Sequence, residues 1–202
     1  MSVLESLGVS AAALEKLRLF QSLVEKWNPR INLVAKSTLP DLWSRHIEDS
    51  AFLCLHAPQA RLWADFGAGG GFPGLVVATI LQDRDADTRV VLVESDLRKA
   101  TFLREAARKM SLAVEIHSAR VEALPPLSAD VVSARALATL DTLCGLAHRH
   151  LAPGGTCLFP KGERFVEEVE AARRNWQFDL EAPENPGHKG SALLVLRNLH
   201  RA

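Results

Sequence analysis

The rhythm of apolar and polar positions changes near residue 58. Before it, Leu14, Leu17, Phe20, Leu23, Val24 and Trp27 recur at helical spacing and make one apolar stripe. Ser10 is placed to cap the start of that helix, and Asn28-Pro29 is expected to break it after Trp27. A second helix is expected over residues 41–55, closed by Pro58. Beyond that point short continuous apolar runs alternate with longer amphipathic ones. Strands are predicted over residues 61–66, 89–94, 113–117, 129–133, 156–160 and 191–199, and helices over 74–81, 96–110, 139–150 and 163–176. The run RVVLVE from Arg89 is β-branched and unbroken, as a strand buried on both faces should be. This alternation predicts an α/β fold with a mainly parallel sheet and helices on both faces. A helical N-terminal extension, residues 1–58, would precede one compact domain, residues 59–202. In such folds ligands lie beyond the carboxyl ends of the strands.

The first predicted strand runs into Asp65-Phe66-Gly67-Ala68-Gly69-Gly70-Gly71-Phe72-Pro73-Gly74, with five glycines among residues 67–74. Glycine lets a ligand touch the backbone, and a loop leading from a strand to a helix N-terminus suits a nucleotide-type ligand. Two fingerprints overlap here. Gly69-x-Gly71-x-x-Gly74 fits a dinucleotide loop, whereas Asp65-x-Gly67-x-Gly69-x-Gly71 fits the acidic glycine loop of S-adenosylmethionine enzymes. The second is favoured on charge: a carboxylate at Asp65 would repel a pyrophosphate and attract an ammonium. Glu94, ending the second strand, suits a pair of ribose hydroxyls with either cofactor. The chain has no tyrosine, which excludes a tyrosine-dependent hydride transfer.

Composition narrows the partners. The 202 residues carry 24 basic and 24 acidic groups, so any RNA contact must come from a local basic cluster or be shared with protein. Cys54, Cys144 and Cys157 are scattered without CxxC spacing, which argues against a disulfide framework and against zinc. The seven histidines show no ligand spacing, so no metal is expected. There is no charged leader and no run of the roughly 20 apolar residues of a membrane span. A cytoplasmic protein without membrane contact is expected, with a monomer as the default.

Several segments together are similar to the RsmG (GidB) family. They are Asn32-Leu33-Val34, Arg45-His46-Ile47-Glu48-Asp49-Ser50, DFGAGGGFPGL (residues 65–75), VESDLRKATFLREAARKMSL (93–112), Arg120-Val121-Glu122, SARALATL (133–140), LAPGG (151–155) and Pro160-Lys161-Gly162. They cover nearly the whole chain. The glycine loop is shared by many methyltransferases; its combination with the RHIEDS and SARA segments is specific. The resemblance implies a Rossmann-like class I methyltransferase with a seven-stranded sheet and a helical extension. It implies S-adenosylmethionine as donor and N7 of a guanine in the 530 loop of 16S ribosomal RNA as acceptor, on free RNA or the small ribosomal subunit. Carried residue by residue, Gly67, Phe72, Val121, Glu122 and Arg135 would meet the donor. Family members often have leucine at the place of Phe72, and Gly70 stands where another small residue or proline is common.

On this reading Asp65 and the backbone of Gly67 hold the methionine part, Glu94 the ribose, and Val121 and Glu122 border the adenine, with Ala68, Gly69, Gly71 and Phe72 also among the cofactor-binding residues. Arg135 reaches the mouth of the site, where a guanidinium suits the donor carboxylate, the base or a phosphate. Arg98, Lys99, Arg120, Arg135 and Lys161 are the RNA candidates, with Arg104 beside them. His46 and Asp49 read as a contact between the extension and the glycine loop. Guanine N7 has a free lone pair and no proton, so positioning should suffice and no catalytic base is expected. The competing readings are a methyltransferase of another RNA, a protein or a small molecule, a non-catalytic RNA-binding module with a nucleoside pocket, and an NAD-binding oxidoreductase.

Overall fold

The computed structural model describes residues 2–57, 59–84, 87–184 and 190–202; Pro58 lies outside them. The chain opens with two helices, α1 (Val3–Ser6) and α2 (Ala11–Ile31). Ser2 and Glu5 form a reciprocal capping box that starts α1. Ser10 caps α2, accepting from the amide of Ala13, and its own amide donates to Asp83. Contrary to the sequence expectation, Asn28-Pro29 does not end α2. Pro29 falls in the last turn, where only two residues follow it. The Asn28 side chain accepts from the Val34 amide, and Asn32 closes the helix in a left-handed conformation.

The helix expected over residues 41–55 forms as a continuous helical run of changing pitch. Trp43–Glu48 is a π-helix, Asp49–Phe52 (α3) is α-helical, and Leu53–Leu55 is a 3-10 turn. A π-segment widens the spacing of side chains and is often found at functional sites.

Seven strands follow: β1 (Leu62–Phe66), β2 (Arg89–Val93), β3 (Val114–His117), β4 (Ala129–Ala134), β5 (Leu151–Lys161), β6 (Trp176–Glu181) and β7 (Ala192–Arg201). Between them lie α4 (Gly74–Asp83), α5 (Leu97–Lys109), α6 (Leu140–His150) and α7 (Phe165–Ala172). The sheet order is β3-β2-β1-β4-β5-β7-β6. β1 to β5 are parallel, whereas β7 runs antiparallel between β5 and β6. β6 corrects the expectation of a helix reaching Trp176: α7 stops at Ala172 and Trp176 opens a strand. β5 starts five residues earlier than expected, because a register shift opposite Ala129 to Val131 absorbs Pro153-Gly154-Gly155.

Alternation along β1 sends Trp63 into one core and Ala64 and Phe66 into the other. The first core is filled by α1, α2, α4 and α5, with Leu17, Phe20, Leu75, Ile80 and Phe102 fully buried. The second lies under α6 and α7. The extension therefore packs on the sheet face that carries α4. Neighbouring strands β1 and β4 lead to connections in opposite directions, which opens a crevice at their carboxyl ends.

Candidate functional site

Two lobes of one cleft occupy that crevice. The larger, about 470 Å³, is lined by Gly67, Ala68, Gly69, Gly70 and Phe72 after β1, Glu94, Ser95 and Lys99 after β2, and Arg135 to Leu137 after β4. Leu33, Val34, Ala35, Thr38 and His46 of the extension complete its wall. The smaller lobe, about 280 Å³, is lined by Val93, Ser95, Ala119, Arg120, Val121 and Glu122, with Leu146 behind. Gly67, Ser95 and Leu137 border both lobes.

The loop folds this way for local reasons. Gly67, at φ +65°, turns the chain at the end of β1. A Cβ there would sit 2.7 Å from Leu137 Cδ1, so the bare backbone and the leucine form a narrow waist between the lobes. Gly70 must be glycine for a different reason: its Cβ would lie 2.9 Å from the carbonyl oxygen of Leu33. The extension thus presses directly on the loop. Phe72 is held between Phe20 and His46, at ring-centre distances of 4.9 and 5.1 Å. His46 also meets Thr38 Oγ1 through Nε2 at 2.8 Å.

The two acidic residues play unlike parts. Glu94 borders the larger lobe, and its oxygens accept from the amides of Gly69 (2.8 Å) and Asp96 (2.7 Å). Each oxygen keeps a second lone pair for a ligand hydroxyl. Asp65, in contrast, is fully buried beneath the loop. It accepts from the Gly74 amide at the start of α4 (3.0 Å) and from Ser133 Oγ (2.7 Å), and Ser133 in turn accepts from Trp63 Nε1. Burial pushes the Asp65 carboxyl up to about 7, against the pull of those two hydrogen bonds. The ligand contact expected for Asp65 is not what the geometry provides; this carboxylate ties β1, β4 and the start of α4 together.

A third cleft, about 740 Å³, adjoins the first two through Arg135, Ala136 and Ala138. Arg45, Asp49, Lys161 and Glu168 also line it. Arg135 donates from Nη2 to the carbonyl of Arg45 (2.9 Å), while Nη1 is enclosed without a hydrogen bond among the described residues. Burial lowers the Arg135 guanidinium below its ordinary range, and Asp49 opposes that shift.

A family model described as GidB, rRNA small subunit methyltransferase G, matches residues 13–192. The chain belongs to this family. A ribosomal RNA small subunit methyltransferase G of Cereibacter sphaeroides is 50% identical over 199 residues, covering 98% of this chain and 97% of that protein. Its counterpart in a Ruegeria species is 45% identical over 195 residues, covering 96% and 95%. Among solved structures, a Geobacter sulfurreducens methyltransferase shares the fold at a TM-score of 0.59 and 16% identity, covering 91% of this chain and 88% of that one. A Salinibacter ruber RNA methyltransferase, solved with S-adenosyl-L-homocysteine, aligns at a TM-score of 0.56 and 18% identity, covering 73% and 88%.

Within this family member the sequence-expected residues sort into three groups. Gly67, Ala68, Gly69, Phe72, Glu94, Val121, Glu122 and Arg135 reach the cleft walls. Asp65 and Gly71 stand behind them, Gly71 close against Phe20 and Leu75. Of the basic candidates, Arg98 and Arg120 are exposed beside the cleft, in surface pairs with Asp96 and Glu122, and Lys99 lines it. Arg104 is occupied with Ser118 and the carbonyl of Ile116. Lys161 is largely buried in an ion pair with Glu168 and is not part of an open basic patch. Sequence reasoning singled out none of Leu137, Ser95 and Thr38 as site residues; Leu137 lies in the SARALATL segment and Ser95 in the 93–112 segment, whereas Thr38 lies in none of the segments that carry the resemblance. The three cysteines are buried thiols, and burial raises Cys54 and Cys144 to about 12. Among the described residues no helix is long and apolar enough to cross a membrane.

Proposed function

We propose that this protein transfers the methyl group of S-adenosylmethionine to N7 of a guanine in the 530 loop of 16S ribosomal RNA. The observation that carries the reading is the two-lobed cleft joined at Gly67, with the amide-held Glu94 carboxylate on one side and an apolar slot on the other. The residues fit the donor. Glu94 is preset by two backbone amides to receive ribose hydroxyls, Val121 offers an apolar face and Glu122 a polar edge to adenine, and the side-chain-free backbone of Gly67 and Gly69 on the wall of the larger lobe admits the methionine part. The Salinibacter protein of the same fold, solved with the demethylated product, is consistent with that fit.

The bound donor supplies a methyl group activated on a sulfonium. The chain's own residues bind and align. Leu137 and Gly67 form the waist across which the donor would lie, and Arg135 spans the larger donor lobe and the 740 Å³ cleft, where a guanine or its phosphate would lie. Because N7 bears no proton, no side chain has to remove one, and rate enhancement comes from holding the two reactants in line. Arg98, Lys99 and Arg120 supply the sequence-independent, salt-sensitive part of RNA binding. The whole chain acts as one unit, in the cytoplasm, as a monomer on 16S RNA or the small subunit. Mass-spectrometric mapping of 16S RNA from cells lacking the protein tests this. Loss of one N7-methylguanine in the 530 loop, restored by the intact gene, is the expected result; an unchanged methylation pattern refutes it.

A further inference from the structure

Lys161 ends β5 and Glu168 lies on α7, yet both close on the loop after β4. The Lys161 side chain is only 9% exposed, and Nζ donates to the Ala138 carbonyl and to Glu168 Oε2, each at 2.8 Å. The same Glu168 oxygen accepts the Leu140 amide at 2.8 Å. One lysine and one carboxylate therefore grip both the end of residues 135–139 and the first residue of α6. Within this loop Ala136 is held at φ +52°, a left-handed conformation that a non-glycine residue adopts only under strain. Such strain persists only where the surroundings over-determine the backbone. Ala136 separates the two residues that matter: Arg135 lines the larger donor lobe and the 740 Å³ cleft, and Leu137 lines both donor lobes.

We propose that Lys161 and Glu168 are positioning residues that latch the strained loop, so that Leu137 stands against the donor and Arg135 between donor and acceptor. This rests on the function proposed above. Neither group touches the donor lobes; both act through the loop. The chemistry suits a latch rather than an RNA contact. Two of the three ammonium donors of Lys161 are already taken by a carboxylate and a carbonyl, which leaves one toward the 740 Å³ cleft, and an enclosed pair is screened less by salt than an exposed one.

The test uses full-length Lys161→Met and the double variant Lys161→Met/Glu168→Gln, which removes the stranded carboxylate charge. Both are assayed at a temperature where circular dichroism shows them folded. Calorimetry with S-adenosylhomocysteine should give a dissociation constant raised about tenfold in the single variant, with kcat lowered similarly. The loss should persist in the double variant, because Ala138 remains unheld. Leu137→Ala should weaken donor binding in the wild type but add little on top of Lys161→Met. Amide exchange at residues 136–140 should quicken in both variants. Unchanged exchange overturns the latch. So does a lower Tm with donor parameters intact, or a raised KM for RNA alone with a shallower salt dependence, which would return Lys161 to direct RNA binding. If the wild type itself binds no S-adenosylhomocysteine, the functional reading falls, and the positioning role with it, even where faster exchange shows the latch to exist.

Discussion

Replacing Asp65 by asparagine separates a ligand-binding carboxylate from a structural one. In the native fold this side chain is buried, and its carboxyl is raised from 3.8 to about 7, chiefly by loss of hydration. At about 1.4 kcal/mol per pH unit, that gap means about 4 kcal/mol set against folding once the group is ionised. The sign follows from proton counting. Between about pH 4 and pH 7 the native state holds a proton that the unfolded chain has lost, so stability falls as pH rises through that window and levels off above it. Asparagine cannot ionise. Its carbonyl can still accept from the Gly74 amide, but its NH2 faces Ser133, whose hydroxyl already accepts from Trp63. The exchange costs about one hydrogen bond, of order 1 kcal/mol, at every pH. The stability difference between variant and wild type should therefore move by about 3 kcal/mol in the variant's favour from pH 4.5 to pH 8, the remainder of the change falling below pH 4.5. Urea unfolding across that range measures it. Parallel curves, within about 1 kcal/mol, would refute the buried-carboxylate argument. Donor affinity supplies a second readout. With the side chain behind the loop, Asp65→Asn should weaken S-adenosylhomocysteine binding less than about tenfold at pH 8; a hundredfold loss would restore the ammonium contact first read from the sequence.

Glu94→Gln keeps the size of the side chain but presents NH2 to one of the two amides it now accepts from, so donor affinity should drop about ten- to a hundredfold in calorimetry. Gly67→Ala forces alanine into φ +65° and its methyl against Leu137; we expect a stability loss of about 1 kcal/mol and a larger, more than tenfold loss of donor binding, since the waist itself is filled. Equal losses on both scales would argue against the waist. Arg120→Ala should leave thermal stability unchanged, its pair with Glu122 being exposed at 3.6 Å, while the slope of log RNA affinity against log salt becomes shallower by about one.

Much of the architecture can be read from residue order alone. Continuous β-branched runs and amphipathic helices have different periods, and that difference specified a parallel sheet with covered faces. Glycines packed between a strand and a helix had only a backbone explanation, and Glu94 followed from its place at a strand end. The strand at Trp176 to Glu181 was hidden, because an edge segment of alternating polarity after a helix looks like more helix until its partner β7 is in place. The pitch change at Trp43 to Glu48 was hidden too, since apolar spacing over so few residues does not distinguish 3.6 from 4.4 residues per turn.

The site divides along a similar line. Local sequence determined which residues lie in the glycine loop and after the strands, because chain connectivity places them there. It could not determine which way a charge points. Asp65 and Glu94 are both strand-end acids, yet one is sealed under the start of α4 and the other opens on the cleft; Lys161 looked like a free cation until Glu168, from a separate helix, was packed against it. Solvent exposure is set by what distant segments bring alongside, so burial, and with it the role of each ionisable group, was decided by tertiary structure alone.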